Sequence, residues 1–164
     1  SKYAYMATDK NNIEFLVSYD MDDYTMSPDV IEKAHAIKNV KCVEGISLSK
    51  IDACNRDIEE AGEWDIIVLA SDDMMPITIG WDEIIRNSMN HSFPDLDGVL
   101  YFPDGYTALN TMCIMGKKYY DRFGYIYHPD YMSLWCDNEF MEVADSLGKQ
   151  KKFNQVLFKP SLTG

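Results

Sequence analysis

The run Trp64-Asp65-Ile66-Ile67-Val68-Leu69-Ala70-Ser71-Asp72-Asp73-Met74-Met75-Pro76 constrains the fold of this chain more than any other stretch. An apolar segment rich in β-branched residues and bounded by turn formers predicts a strand covered on both faces of a parallel sheet. Asp72 and Asp73 then stand at its carboxyl end, the edge at which open α/β sheets bind ligands. Carboxylate oxygens there suit Mg²⁺ or Mn²⁺, which in turn bridge substrate phosphates. The competing reading is a turn in which one aspartate caps a helix starting near Thr78 or Gly80. The buried strand in front of the pair favours the site.

The segments before this strand repeat its logic. Ile13 to Tyr19 reads as a strand ending in the acidic turn Asp20-Met21-Asp22-Asp23. Ser27 then suits the cap of a helix with Pro28 in its first turn. Val40 to Glu44 suits a short strand. Ser47 to Ala61 has helical periodicity, with Ile51, Cys54, Ile58 and Ala61 on one stripe and Gly62 closing it. The β-α-β-α-β order predicts a parallel sheet with right-handed crossovers. Further on, the pattern predicts helices over 80–90, 117–123 and 137–148 and strands over 98–102 and 110–116. The segment from Phe123 to Cys136 reads as an aromatic loop.

At 164 residues and 46% hydrophobic, the chain is long enough for one domain with a real core, and no repeat or linker divides it. The net charge of -12 argues against a nucleic-acid partner, because phosphate backbones are held by clustered Lys and Arg. Only Lys149, Lys151 and Lys152 cluster, and they read as a solvated charge run. Excess carboxylate suits a bound cation instead. Cys42, Cys54, Cys113 and Cys136 form no C-x-x-C pair, and no signal-like segment opens the chain. Reduced thiols in a cytoplasmic protein are the expectation. No apolar run approaches the ~18 to 20 residues that a membrane span requires.

Three constellations could carry chemistry. Asp72 and Asp73 are the first. Asp20, Asp22 and Asp23 could present carboxylates at the same sheet edge, to a base or a ribose, with Asp20 the best placed. The alternative for Asp22 and Asp23 is a solvated Asx turn. Asp137-Asn138-Glu139 opens a helix beside His128, Tyr131 and Trp135. Acids there can complement the helix dipole, but a carboxylate beside aromatic rings can also stack a sugar and deprotonate its hydroxyl. His128 is a candidate third metal ligand. Neither Walker-type nor dinucleotide-binding glycine loops occur, and no cysteine has a clear basic partner.

In this order the parts resemble the nucleotide-sugar glycosyltransferases of GT-A fold, most similar to family 2, from about Ile13 to Gly148. Phe15 to Asp20 resembles the family's strand and acidic turn at the nucleobase. Gly45-Ile46-Ser47-Leu48-Ser49-Lys50-Ile51-Asp52-Ala53-Cys54-Asn55 matches its Gly-x-Ser-x-small-basic-x-x-Ala-x-Asn segment. Ser71-Asp72-Asp73-Met74-Met75-Pro76 resembles its DXD-like strand end, with Gly80-Trp81 beyond. Trp135-Cys136-Asp137-Asn138-Glu139 resembles the helix start that carries its base.

The resemblance implies an α/β fold with a GT-A-like, mostly parallel sheet flanked by helices, a Rossmann-like three-layer sandwich. Residues 1–164 would form one such domain, without the family's usual first strand, so that the nucleotide pocket lacks one wall. It implies a metal-dependent, inverting transfer of a sugar from a nucleoside diphosphate sugar to a saccharide or other hydroxyl acceptor. Asp20 and Asp22 would lie near the base and ribose and Lys50 near the nucleotide. Asp72 would face the ribose or a metal-bound water, and Asp73, with His128, would hold Mn²⁺ or Mg²⁺. Asp137 or Glu139 would be the base, since the family's common Glu-Asp pair is absent. The alternative is a non-catalytic GT-A-like domain that binds carbohydrate or a partner protein. A nucleotidyltransferase ranks last, because no Gly-rich basic loop stands near the start.

Overall fold

The computed structural model describes residues 1–161. Its elements run α1 (Lys2–Met6), β1 (Phe15–Asp20), α2 (Pro28–His35), β2 (Val40–Gly45), α3 (Lys50–Asn55), β3 (Ile66–Val68), β4 (Met74–Pro76) and α4 (Trp81–Ser92). They continue with β5 (Val99–Tyr101), β6 (Ile114–Gly116), α5 (Lys117–Phe123), α6 (Cys136–Ser146), β7 (Gln150–Lys152) and β8 (Phe158–Pro160). Short 3-10 turns occupy Lys10–Asn12 and Ile58–Glu60. The fold is α/β with mixed sheets: β1 and β2 pair in parallel, a second sheet has the order β3-β6-β5-β7, and β4 pairs with β8.

The expected mostly parallel sheet is corrected in two respects. Within the second sheet only β5 and β7 are parallel; β3 with β6 and β6 with β5 are antiparallel, as are β4 and β8. The apolar run after Trp64 contributes only three residues of strand, all half-buried, because β3 has β6 as its sole strand partner among the described residues. Apolarity predicts that such a strand wants cover; it does not say which edge receives it. The expected helix over 47–61 also divides. Its first part is α3, which ends at Asn55, and Ile58–Glu60 forms a tighter turn.

Period-two alternation in the central strands sorts the core into two clusters, one on each face of the sheet. Leu100 and Ile114 join Trp81, Ile85 and Met89 of α4, together with Met6 and Phe158. Val99, Cys113 and Met115 join Ile51 of α3, Tyr119 of α5, and Phe140 and Ala144 of α6. Helices therefore contribute to the clusters on both faces of the sheet.

Local chemistry sets the element ends. Ser27 caps α2 by accepting a hydrogen bond from Val30 N (3.4 Å), with Pro28 in the first turn. Gly124 ends α5 at φ 75°, a left-handed conformation open to glycine. The expected lysine run is only partly solvated: Lys149 lies 3.4 Å from Asp97, which Arg122 also pairs at 2.9 Å. Among the described residues no helix is long and apolar enough to cross a membrane.

Candidate functional site

Parallel pairing of β1 with β2 brings Asp20 opposite Gly45, so both strands end at one rim. A cleft of about 310 Å³ opens there, lined by Tyr19, Asp20, Asp22, Ser47, Ala53 and Arg56 among others. Every guanidinium N–H of Arg56 has a partner. Nη1 donates to Asp20 Oδ1 (2.9 Å) and Ser47 Oγ (2.8 Å). Nη2 donates to Tyr19 O (3.2 Å) and Asp57 Oδ2 (2.8 Å), and Nε to Asp57 Oδ2 (2.9 Å). Ser47 Oγ in turn donates to Asp20 Oδ1 (2.6 Å). The Ser47 hydroxyl, with Arg56, holds the Asp20 carboxyl below the usual carboxylate range.

Arg56 thus anchors Asp20 instead of leaving it to solvent, and Gly45 makes room for it. A Cβ at Gly45 would lie 2.6 Å from Arg56 Cζ. Asp22 and Asp23 line the same cleft, and Asp23 also folds back on Thr25, accepting from its N–H (2.9 Å) and its hydroxyl. That is the Asx-type turn foreseen as the alternative for this residue.

Helix α3 is the wall between this cleft and the start of α6. Ser49 caps it through Asp52 N (3.1 Å), while the Asp52 carboxylate accepts from Leu48 N (2.9 Å). Ala53 faces the cleft, and Arg56, which follows α3, reaches into it. Ile51 and Cys54 of α3 pack in the same cluster as Cys136 of α6. Burial first, then Asp137, pushes the Cys136 thiol up to about 11, and its Sγ–H lies 3.4 Å from Asp137 Oδ1. Burial also raises Cys54 and Cys113, so these thiols stay protonated and non-nucleophilic at neutral pH.

Asn55, at the end of α3, clamps the aromatic loop. Its Oδ1 accepts from Ile126 N (2.9 Å) and Tyr127 N (3.2 Å), and its Nδ2 donates to Tyr127 O (2.7 Å). Tyr127 is buried, and its ring meets Phe140 of α6 edge-on at 6.1 Å. The next residue, His128, lines a pocket of about 200 Å³ with Asp130, Tyr131 and Glu139. Its Nδ1 accepts from Asp130 N (3.2 Å), which leaves Nε2 as the nitrogen available to a ligand.

Asp72 and Asp73 occupy the exposed turn between β3 and β4. The Asp73 carboxylate accepts from the Ser71 hydroxyl, and its charge, after burial, contributes to raising the Tyr3 phenol to about 12. Asp20 ends β1 and Asp73 immediately precedes β4, strands of separate sheets, and neither Asp72 nor Asp73 lines the Asp20 cleft. Asp73 is likewise absent from the His128 pocket. Among the described residues no group of three His, Cys, Asp or Glu side chains is gathered to hold a metal. Two adjacent exposed carboxylates still match the donor set of Mg²⁺, which commonly takes one or two protein carboxylates and completes its shell with phosphate and water. His128 is not part of that set.

Arg56 and the clamping role of Asn55 are not evident in the sequence pattern. The available signal for Arg56 is its placement between Asn55 and Asp57 in a chain with few arginines. No family model, no curated protein and no solved structure matches this chain.

Proposed function

We propose that this chain is a sugar transferase that uses a nucleoside diphosphate sugar as donor and a hydroxyl as acceptor. The observation that carries the reading is the position of α3. Its segment borders the Asp20 cleft through Ala53 and Arg56, and Ile51 and Cys54 pack in the same cluster as Cys136 and Phe140 of α6. A donor extending from the cleft along α3 would run toward the start of α6, which carries Asp137 and Glu139.

In this reading Asp20 and Asp22 meet the base and ribose, and Lys50 the diphosphate. The acceptor O–H gives its proton to Asp137 or Glu139 as its oxygen attacks the anomeric carbon. The bond from that carbon to the diphosphate breaks on the opposite face, and the nucleoside diphosphate departs with the electron pair. Asp73, with Asp72 beside it, would hold Mn²⁺ or Mg²⁺ at the exposed turn before β4, outside the Asp20 cleft, and the cation would supply positive charge to a phosphate that reaches that turn. General-base catalysis of this kind contributes typically ~10² to 10⁴ in rate.

A second reading has its own observation. All five Arg56 donors are satisfied within the protein, so the cleft's arginine offers no free hydrogen bond to a phosphate. A carbohydrate-binding domain without transfer activity would need none. Thermal unfolding with UDP, GDP and CMP, each with and without Mn²⁺, separates the two. A nucleotide- and Mn²⁺-dependent rise in Tm that Asp73→Ala abolishes supports the transferase. Uniformly absent shifts remove it.

A further inference from the structure

The aromatic loop carries an arrangement that the nucleotide side does not use. Phe123 and Tyr125 stack with ring centroids 5.7 Å apart, Tyr125 meets His128 at 5.4 Å, and His128 meets Tyr131 at 6.1 Å. The rings form one continuous row. It stays partly open to solvent: Phe123 is 37% exposed, and Tyr125, His128 and Tyr131 are half-buried. The row runs into the pocket of about 200 Å³ that Glu139 closes from α6, and the charges of Glu139 and Asp130 reach Tyr125.

Trp135 is 70% exposed and held at φ 71°, a backbone conformation uncommon for a bulky side chain. It precedes α6 by one residue, and its carbonyl accepts from Glu139 N (3.1 Å), so its backbone belongs to the helix turn that carries Glu139.

Flat apolar rings interleaved with a few hydrogen-bonding groups match a saccharide, whose rings offer apolar C–H faces and a hydroxyl rim. The carboxylates of Glu139 and Asp130 accept from hydroxyls and disfavour an anionic ligand at this pocket. We infer that Tyr125, His128, Tyr131 and Trp135 form a binding track for a neutral oligosaccharide, with Glu139 as its hydroxyl-binding carboxylate. The inference rests on the transferase reading for what becomes of the bound sugar, not for its binding. Within that reading the track is the acceptor subsite. Glu139 then binds the acceptor, and Asp137, on the α3 side, is left as the base.

The test is retention of the full chain, without nucleotide, on a printed array of neutral and sialylated glycans, followed by calorimetry with the best-retained neutral glycan. Neutral glycans are expected to bind, with at least tenfold weaker binding in Tyr125→Ala, Trp135→Ala and Glu139→Gln. Tyr5→Ala, which removes an exposed ring on α1 outside the track, is expected to bind as the parent does. Trp135 is mostly exposed, so Trp135→Ala keeps the test open if a tyrosine variant fails to fold. No glycan retained, a preference for sialylated glycans, or equal retention by Trp135→Ala would each overturn the inference. So would displacement of the glycan by a proline-rich peptide, which also docks on aromatic grooves. Glycan binding without any nucleotide shift leaves the track standing and removes the transferase reading, so the two fail separately.

Discussion

Arg56 illustrates how a single residue can be structural and still govern a candidate site. Its side chain is 15% exposed, that of Asp57 9%, and truncating the arginine leaves the Asp57 carboxylate buried beside no cation. Breaking a buried pair by removing one partner costs on the order of 3 kcal/mol. For a chain of this size that corresponds to a fall in Tm of roughly 6 to 12 °C. Arg56→Ala should show this in thermal unfolding, and adding Asp57→Asn should recover part of it; no recovery would mean that the pair is not the source. Gly45→Ala should lower stability through the same group, because its Cβ would displace a guanidinium held at five points. The two candidate bases separate at this scale as well. Asp137→Asn should lower kcat by ~10² to 10⁴ with little change in acceptor KM. Glu139→Gln should act mainly on acceptor KM, and the reverse pattern would exchange their roles.

Among the elements, the short helix α3 lines the Asp20 cleft with Ala53 and, through Asn55, holds the aromatic loop. Asn55→Ala leaves two N–H groups and one carbonyl of residues 126–127 without the side chain that satisfies them. Each such group costs about 1 to 3 kcal/mol when it stays buried. The expected outcome is faster amide exchange at Ile126 and Tyr127, read by hydrogen-exchange mass spectrometry, together with loss of order in the His128 pocket. Asn55→Asp keeps the acceptor and should protect the two N–H groups. Unchanged exchange in Asn55→Ala would show that the loop is held by Tyr127 packing alone. The helices α2, α4, α5 and α6 were legible because each has an apolar stripe or a capping signal, Ser27 before α2 being the clearest. The strands β4, β7 and β8 were not, since three residues are too few to show a period of two. In the site, acidic residues stand out at strand and helix ends, but partner choice is tertiary. Nothing local to Arg56 says that it will span from Asp57 to Asp20 rather than face solvent.

At the scale of the whole molecule, two electrostatic effects oppose each other as pH falls. With a net charge of -12 at pH 7 and a pI near 4.5, the folded chain repels itself at neutral pH, and protonation of exposed carboxylates relieves that repulsion. Against this, Asp57, Asp82, Asp97 and Asp104 are buried yet held below the usual aspartate value, by Arg56, by the Thr8 and Asp9 amides with Arg86, by Arg122 with Lys149, and by the amides of Thr107 and Tyr106. Burial alone would raise them; the hydrogen bonds and cations prevail. A depressed folded pKa means that the unfolded chain binds protons first, so this stability is complete above the unfolded value of about 3.9. It is lost as pH falls from there through the folded values. Stability should therefore rise from pH 7 toward pH 5, then drop steeply below about pH 4, in urea unfolding followed by circular dichroism. Salt separates the two limbs: added NaCl should stabilise the chain at pH 7, where screening weakens repulsion between exposed charges, and do little near the pI. Asp82→Asn should flatten the acid limb because it removes one of the groups that must be protonated there. A curve that falls monotonically from pH 7 would show that buried aspartates outweigh surface repulsion over the whole range.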